Sequence, residues 1–455
     1  MKTLVKKLDF YKPSAQIFRI YHQEECAVFL DSSLHNELGR YSIIGLNPYM
    51  ELKEKDTVCF CNGKPLPTPF WQSLAQCLDE NKEENTTGLP LIAGAIGYFS
   101  YDYGRGYESI STQHKKSQDI PEAYFCFYDN FLIEDCENKA LYLTARGILN
   151  NQEKSMLEIT ARIKGDVNIQ GNTSYYKCTS KLFTANFEKE EYKAAIERMI
   201  QYIIEGDIYI ANMTQQLMIK SKKAPYEVFQ YLRNHNPAPF GSYMNYGDFQ
   251  VISASPERFL RLKDGWVETR PIKGTRKRGN TPKEDALLKK ELQSSEKDRS
   301  ELLMIVDLLR NDLSRVCEPG SVKVRKHFAV ETYATVFHLV STIVGRLQDG
   351  YGIMDLIKAT FPGGSITGAP KIRAMEVIDE LEHGQRGLYT GSIGYLGLDG
   401  SCDLNIVIRT AVYQKGRYCL GVGGGITCES ESEFEYEETL QKAKAVLEAI
   451  YDGED

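Results

Sequence analysis

Short runs of alternating apolar and polar residues, separated by Gly, Pro and Asn, constrain the fold of this chain most strongly. They fill the sequence up to about Arg146. A period of two is typical of half-buried strands, whose side chains point alternately to the two faces of a sheet. Strand candidates lie at residues 26–30, 41–44, 91–98, 251–254, 259–262, 322–324, 393–398, 406–413 and 418–422.

Amphipathic helices are interleaved with these strands. The clearest covers residues 189–205, where Tyr192, Ile196, Met199 and Ile203 form an apolar stripe. Doubly wound folds need a more regular alternation of strand and helix than this chain has. The pattern therefore predicts a large α+β protein with a mostly antiparallel sheet.

A change in composition suggests how the chain is organised. Residues from about 150 to 187 are polar and have no strong period apart from a helical stretch at 153–164. We predict an N-terminal region at residues 1–150 and a second region at residues 185–455, interleaved in one globular unit.

Charge and cysteine content exclude several classes of protein. The net charge of −7 argues against nucleic acid or an anionic membrane surface as a partner. The eleven cysteines include no C-x-x-C pair, so free thiols in a reducing compartment are expected. The chain has neither a signal-peptide pattern nor an apolar run of the roughly 20 residues that span a bilayer. We expect a cytoplasmic protein.

A lysine and a glutamate are the first candidates for chemistry. Lys273 lies in RPIKGT (270–275), sixteen residues after Glu257 in SPERF (255–259). A lysine amine beside a fixed carboxylate can supply a nucleophile and a general acid to one substrate. Because other basic residues surround Lys273, a solvated charge cluster is the better interpretation of this segment by itself.

Two pairs of acids stand three residues apart on predicted helices. Asp298 and Glu301 begin an apolar helix, and Glu435 and Glu438 lie beside the apolar stripe of the C-terminal helix. Two such pairs could converge on Mg²⁺, which favours one or two carboxylates together with water and substrate oxygens. The alternative is that these acids only complement the positive ends of their helices.

The segment at residues 361–371 and Arg409 could each bind an anion, whereas the glycines at 421–425 indicate only a turn or a close approach of backbone. FPGGSITGAPK (361–371) precedes a helix, with Thr367 placed to cap it and Pro370 in its first turn. Glycines follow a strand at 421–425, and Arg409 on a predicted strand could hold a carboxylate with two hydrogen bonds. His338, judged alone, is better explained as a core histidine with its hydrogen bonds satisfied.

Taken together, these motifs resemble the chorismate-utilising enzymes, a family that includes anthranilate, aminodeoxychorismate, isochorismate and salicylate synthases. The resemblance covers residues 185–455 densely and extends to GRYSIIG (39–45) and GYFSYD (97–102). The motifs that carry it are SPERF (255–259), RPIKGT (270–275), EKDRSELLMIVDLLRND (296–312), HLVSTIVG (338–345), FPGGSITGAPK (361–371), GSIGYL (391–396), IRTAVY (408–413), GGGI (423–426) and YEET (436–439).

The resemblance implies a fold and a set of roles. The family fold is an α+β unit with a large two-sheet antiparallel β core and outer helices, as in anthranilate synthase component I. By this resemblance, Glu301 and Glu438 are the Mg²⁺ ligands, supported through water by Asp298 and Glu435. The pyruvyl carboxylate is bound by Tyr389, Arg409, Gly423, Gly424 and Gly425. His338 and Thr367 lie beside the ring, and Glu257 is the acid at the C4 hydroxyl group. Asp298 is shorter than the acid common in the family.

Within the family, Lys273 implies amination at C4. Anthranilate synthases typically have PIAGT where this chain has PIKGT, as aminodeoxychorismate synthases do. A lysine bonded to C2 directs ammonia to C4, which gives 4-amino-4-deoxychorismate on the route to 4-aminobenzoate and folate. Ile210 stands where water-using members have a lysine and ammonia-using members usually have Gln. Anthranilate synthesis is the alternative activity.

The resemblance also implies a protein partner and a possible effector. No cysteine has the G-x-C-x-G surroundings of a glutamine amidotransferase nucleophile, so ammonia is expected from a separate amidotransferase subunit in a heterodimer. Relatives bind tryptophan between their sheets, and Ser33, Tyr41 and Ser42 lie where such a pocket is expected. An amino-acid-sensing role for the N-terminal region therefore stays open.

Overall fold

The computed structural model describes residues 2–108, 110–165, 183–333 and 336–452. The described strands are β1 (Leu4–Lys7), β2 (Ala27–Asp31), β3 (Tyr41–Lys55), β4 (Val58–Cys61), β5 (Lys64–Leu66), β6 (Gly94–Phe99), β7 (Ala123–Asp135), β8 (Ala140–Ala145), β9 (Phe183–Ala185), β10 (Ile210–Lys220), β11 (Phe240–Asn245), β12 (Phe249–Ser255), β13 (Arg258–Lys263), β14 (Trp266–Thr269), β15 (Ile272–Lys277), β16 (Lys323–Thr332), β17 (Val336–Arg346), β18 (Gly368–Ala369), β19 (Ser392–Gly397), β20 (Cys402–Asn405), β21 (Thr410–Gln414) and β22 (Arg417–Ile426). The described helices are α1 (Ser14–Phe18), α2 (Phe70–Glu80), α3 (Tyr101–Tyr107), α4 (Gln152–Gly165), α5 (Lys189–Ile204), α6 (Pro225–His235), α7 (Pro282–Ser294), α8 (Glu296–Ser314), α9 (Ile353–Thr360), α10 (Lys371–Leu381) and α11 (Ser432–Tyr451).

The long strands β3 and β7 connect the two halves of an antiparallel sheet. They pair along most of their length, with a shift of register between Pro48 and Met50. On one side of this shift the order continues as β3-β2-β11-β12-β21-β22-β10, which we call the first arm. On the other side it continues as β7-β6-β19-β20-β13-β14-β17, the second arm.

The largest apolar cluster includes residues from both arms. It combines Val28, Val251 and Val412 of the first arm with Ile96 and Leu404 of the second. Burying each such side chain contributes about 1.5–3 kcal/mol. The predicted α+β fold with a two-sheet antiparallel core and outer helices is therefore confirmed.

Amphipathic helices cover the outer face of the first arm. The apolar residues of α1, α4, α6 and α11 form a second cluster against this face. The helix predicted at residues 189–205 is α5, which begins with a capping box between Glu188 and Glu191 and is followed by Gly206 in a left-handed conformation (φ 86°). Among the described residues, no helix has the length and apolar character needed to cross a membrane.

The chain passes from one arm to the other at two points that matter for the site. Pro256 and Glu257 connect β12 to β13, and residues 406–409 connect β20 to β21. The strand predicted at residues 406–413 is therefore wrong in its first half, because Arg409 has a left-handed conformation (φ 51°) and β21 begins only at Thr410. The backbone NH of Ile406 donates to the carbonyl of Glu257 over 3.0 Å, so the two crossings lie side by side.

Strands of the N-terminal region pair with strands of the second region. β2 pairs with β11 in the first arm, and β6 pairs with β19 in the second arm. The region boundaries proposed from composition stay a prediction.

Candidate active site

Lys273 lies beside the glycine strand β22. A Cβ atom built on Gly425 would be 2.7 Å from Lys273 Nζ, so a side chain at this position would displace the amine. The same Cβ position is 3.7 Å from Ile210 Cδ1, which places an apolar side chain close to the amine. Gly425 thus provides the space in which the Lys273 amine sits.

Glu257 is buried at the crossing between β12 and β13, with 5% of its surface exposed. Its Oε1 accepts a hydrogen bond from Ser365 Oγ at 2.7 Å. Burial raises the pKa of Glu257 to about 7, although the Ser365 hydroxyl group, the charge of Lys273 and the backbone NH of Ile272 favour its ionised form. A carboxyl group with this pKa can hold or release a proton near neutral pH.

The segment between α9 and α10 is fixed by its own polar groups. Thr367 Oγ1 donates to the carbonyl of Gly363 at 2.9 Å, and Pro370 occupies the N-cap position of α10. The predicted capping role of Thr367 and the first-turn position of Pro370 are therefore wrong, because the helix begins three residues later than the cap requires. Thr367 is 1% exposed, and its role beside the ring stays a prediction.

A buried ion pair closes the base of this segment. Lys371 Nζ lies 2.6 Å from Asp312 Oδ2 on α8 and donates to the carbonyl of Thr360 at 2.8 Å. Lys371 is 9% exposed and Asp312 is fully buried. Because one ammonium group bonds both the end of α9 and the side of α8, it holds the two ends of the segment together.

His338 on β17 has one ring nitrogen satisfied and one without a partner. Its Nδ1 lies 3.0 Å from Thr275 Oγ1, whereas the buried Nε2 has no hydrogen-bond partner within the described ranges. Burial, assisted by the positive charge of Arg409, lowers the pKa of His338 to about 3. The ring is therefore neutral at physiological pH, and its free nitrogen is available to a ligand.

Arg409 carries a charge that no described carboxylate neutralises. No ion pair of Arg409 is found among residues 2–108, 110–165, 183–333 and 336–452. Burial lowers the pKa of this guanidinium group, while the neighbouring Tyr333 acts to raise it. A half-buried arginine without a carboxylate partner is suited to an anionic ligand.

Tyr389 packs against the start of the glycine run. Its ring lies only 2.1 Å from the position of a Cβ on Gly421, so only glycine fits beneath it. Burial raises the pKa of Tyr389 above its ordinary range, which keeps its hydroxyl group protonated. Gly423, Gly424 and Gly425 follow on the same strand and pair with residues 212–214 of β10.

The two helical acid pairs lie in one electrostatic neighbourhood. Burial raises the pKa of Glu301, and the negative charges of Asp298 and Glu438 add to this effect while Lys273 and Lys297 oppose it. Burial also acts to raise the pKa of Glu438, but Lys442, Lys273 and Lys297 hold it below its ordinary value. The charge of Lys273 thus acts on one acid of each helix, Glu301 on α8 and Glu438 on α11.

Three of these four acids already have partners. Asp298 lies 3.0 Å from Arg276, Glu438 lies 2.7 Å from Lys442, and Glu435 accepts a hydrogen bond from Ser430 at 2.7 Å. Burial raises the pKa of Glu435 despite this bond. For Glu301, in contrast, the described part of the chain provides neither a hydrogen bond nor an ion pair.

The acids fit a hard cation that takes few ligands from the protein. No group of three or more His, Cys, Asp or Glu side chains within the described residues forms a metal-binding cluster. Mg²⁺ does not need one, because it is usually bound by one or two carboxylates with water and substrate oxygens. Glu301, half-buried, without a described partner and near the charge of a second carboxylate, has the character that such an ion requires.

The residues predicted for a tryptophan pocket do not all face one space. Tyr41 packs against the cluster between the arms, whereas the adjacent Ser42 on β3 has its Oγ 3.8 Å from Cys136 Sγ. Ser33 Oγ donates to the carbonyl of Ala238 at 3.2 Å. The structure therefore places Tyr41 and Ser42 on opposite faces of the sheet, and tryptophan binding stays a prediction.

Comparison with known proteins identifies the family of the chain. Residues 25–448 match the model of the chorismate binding enzyme family. The chain is 37% identical to aminodeoxychorismate synthase component 1 of Bacillus subtilis, covering 98% of this chain and 96% of the relative. It is 35% identical to anthranilate synthase component 1 of Aquifex aeolicus, covering 97% and 93% of the two chains.

A solved structure gives the same result for the fold. Anthranilate synthase component I from Streptococcus pneumoniae superposes with a TM-score of 0.83 at 31% identity, covering 96% of this chain and 98% of the other. The chain belongs to the chorismate binding enzyme family. It is a chorismate-utilising enzyme.

Sequence reasoning missed two polar partners in the site. Ser365 and Thr275 each contact a candidate catalytic residue, Glu257 and His338 respectively. Both lie inside motifs that were singled out, FPGGSITGAPK and RPIKGT. Because each contact joins segments more than 60 residues apart, no local spacing could reveal it.

Proposed function

We propose that this enzyme aminates chorismate at C4 to give 4-amino-4-deoxychorismate, as the name of its Bacillus subtilis relative suggests. The observation that carries the proposal is the position of Lys273, whose charge acts on Glu257, Glu301 and Glu438 at once. The amine is therefore near both the candidate acid and the candidate metal carboxylates. A nucleophile in this position can reach a ring held at both ends.

In the first half of the reaction, Lys273 is the nucleophile and Glu257 is the acid. In its neutral form, Lys273 Nζ attacks C2 of the ring and the double bonds shift toward C4. The C4 hydroxyl group leaves as water after it receives a proton from Glu257. Gly425 leaves the space in which the amine can approach the ring.

Ammonia completes the reaction at C4. It attacks C4, the double bonds shift back, and the Lys273 amine is expelled from C2. Ionised Glu257 takes the proton that ammonia loses, which restores the acid for the next turnover. Lysine at C2 excludes ammonia from that carbon, so nitrogen is added at C4.

Other residues hold the substrate. Arg409 is assigned to the pyruvyl carboxylate together with Tyr389 and the amides of residues 423–425, because its charge has no described carboxylate partner. Neutral His338 can donate or accept one hydrogen bond through Nε2 without adding a charge to the site. Thr367 is assigned to the wall beside the ring.

Glu301 and Glu438 would bind Mg²⁺, with Asp298 and Glu435 reached through water. Bound there, the ion would neutralise the ring carboxylate of chorismate and hold that end of the ring. The unpartnered state of Glu301 supports this assignment. Lys442 would release Glu438, and because 43% of its side chain is exposed, it can move into solvent.

The ammonia is proposed to come from a separate glutamine amidotransferase subunit in a heterodimer. The name of the Bacillus subtilis relative, component 1, supports a second component. The cysteines described, all free, suit a reducing cytoplasm as the place of reaction.

Product analysis tests the proposal. The enzyme is incubated with chorismate, Mg²⁺ and ammonium at alkaline pH, with and without added aminodeoxychorismate lyase. We expect 4-aminobenzoate only when the lyase is present. Fluorescent anthranilate as the main product would contradict C4 amination and establish the second candidate function, anthranilate synthesis. The 35% identity to an anthranilate synthase component is the observation that favours this second candidate.

A further inference from the structure

Ser365 contacts the candidate acid, and the proposed mechanism gives it no role so far. It lies on the short 3-10 turn Gly364–Ile366 between α9 and α10. Its hydroxyl group donates to Glu257 Oε1 at 2.7 Å, a contact that joins residues 108 positions apart. A hydrogen bond from a neutral hydroxyl to a carboxylate is short and strong compared with one between two neutral groups.

The turn that carries Ser365 has little freedom to move. A Cβ on Gly363 would lie 2.8 Å from Ile406 Cδ1, and one on Gly364 would lie 2.8 Å from Leu308 Cδ2. Thr367 bonds back to Gly363, and the Lys371 ion pair closes the base of the segment. The hydroxyl group of Ser365 is therefore held in place by contacts on both sides.

Few groups compete with Ser365 for the carboxyl group of Glu257. The polar influences on it are the Ser365 hydroxyl, the charge of Lys273 and the backbone NH of Ile272. Lys273 is the charged member of this set, and in the proposed mechanism it bonds to C2 during turnover. The hydroxyl of Ser365 is then the side-chain donor that remains beside Glu257.

We propose that Ser365 is a positioning residue that fixes the orientation of the Glu257 carboxyl group while Lys273 is bonded to the substrate. One oxygen of the carboxyl group is held by the hydroxyl group, which leaves the other to face the leaving group at C4. The inference deepens the proposed function and rests on the acid role of Glu257. Loss of the donor also removes a group that stabilises the ionised form, so the pKa of Glu257 should rise.

The test compares the pH dependence of chorismate consumption in wild type and Ser365→Ala. Free NH₃ is held constant at every pH, so that only the groups of the protein titrate. Because the mechanism needs protonated Glu257 and neutral Lys273, the pH profile has two limbs, and one of them follows the pKa of Glu257. We expect the maximal rate of Ser365→Ala to fall about tenfold and the midpoint of that limb to move upward by about one pH unit, with little change in KM for chorismate.

Two further variants separate the loss of the hydrogen bond from the change in side-chain volume. Ser365→Thr retains the hydroxyl group and should restore the wild-type midpoint, and Ser365→Cys keeps the volume but donates weakly, so it should behave like Ser365→Ala. Ser401→Ala is the matched control, because Ser401 also donates from a largely buried hydroxyl group to a carboxylate, that of Asp399 in a hairpin turn. Its pH profile should equal that of wild type.

A reduced rate with an unmoved midpoint would show a merely structural role and overturn the inference, as would an unchanged rate. Chorismate consumption is scored whichever amino product forms. Anthranilate as the product would therefore contradict C4 amination while the Ser365 result stays interpretable.

Discussion

The two crossings between the sheet arms and the two acidic helices contribute to the site in different ways. At the crossings, Glu257 is buried against one hydroxyl group and Arg409 has no described carboxylate partner. On the helices, Asp298 and Glu438 are paired with Arg276 and Lys442, whose side chains are 28% and 43% exposed. The side chains at the crossings have fixed positions. The charged side chains of the helices have partners that a ligand can replace.

This difference has a physical cause. The crossings are part of a hydrogen-bonded sheet, and their backbone positions are determined by strands on both sides. The helical acids lie at the ends of flexible side chains, and ion pairs of partly exposed groups contribute about 0–1 kcal/mol. Substitutions at the fixed groups should therefore have larger effects than substitutions at the exchangeable partners.

Replacing Lys273 should have the largest effect. Lys273→Ala removes the nucleophile and should lower the rate of C4 amination by about a thousandfold or more, measured as lyase-dependent 4-aminobenzoate. Lys297→Ala, which removes an exposed lysine of the same cluster, is the control and should retain most of the activity. C4 amination by Lys273→Ala at the full rate would mean that the covalent role is wrong.

Breaking the buried pair beneath the 361–370 segment should be the next largest effect. Lys371→Met leaves Asp312 buried without its partner and should cost about 3–5 kcal/mol in the free energy of unfolding, measured with urea. Lys444→Met breaks an exposed pair with Glu448 and should cost under about 1 kcal/mol. Equal losses in the two variants would contradict the rigidity attributed to this segment.

The burial of Glu257 predicts a pH-dependent gain of stability in Glu257→Gln. Because its pKa is about 7 in the folded protein and near 4.5 in the unfolded chain, protonated Glu257 stabilises the fold below about pH 4.5, and this contribution is lost as pH rises through 7. At pH 8 the free energy of unfolding of Glu257→Gln should thus be larger than that of wild type by on the order of 2–3 kcal/mol.

At pH 4.5 the advantage of Glu257→Gln should disappear. Urea unfolding at the two pH values measures both quantities. Glu448→Gln, a change on the exposed side of α11, serves as the control and should show no such dependence. If the gain in the free energy of unfolding were the same at both pH values, the titration of Glu257 would not be its cause.

Removing an exchangeable partner should have the smallest effect. Lys442→Met frees Glu438 and should tighten Mg²⁺ binding about threefold, measured by calorimetry in the presence of chorismate. The effect is small because both side chains are more than a third exposed. Weaker Mg²⁺ binding in this variant would contradict the view that Lys442 competes with the ion for Glu438.

The sequence predicted which residues are candidates for the site better than it predicted which other residues they contact. The spacing of Asp298, Glu301, Glu435 and Glu438 indicated two carboxylate pairs, and in the structure the charge of Lys273 acts on one acid of each pair, Glu301 and Glu438. The period of two predicted the strands at 251–254 and 259–262, which lie within β12 and β13. These features depend on residues close together in the chain.

Features that depend on distant residues could not be predicted in this way. The strand expected at 406–413 is shortened because its first four residues cross between arms, a path set by pairing with strands more than 100 residues away. Thr367 was expected to cap a helix, but its hydroxyl group is used within its own segment. The bond from Ser365 to Glu257 likewise exists only once both segments are folded.

The covalent role of Lys273 can be tested most directly by mass spectrometry. The enzyme is mixed with chorismate and Mg²⁺ without ammonia, quenched in acid and digested. We predict that the peptide containing Lys273 gains the mass of chorismate less one water, and that this gain is absent from Lys273→Ala. Formation of 4-amino-4-deoxychorismate on adding ammonia, without any modified Lys273 peptide before the addition, would contradict the account.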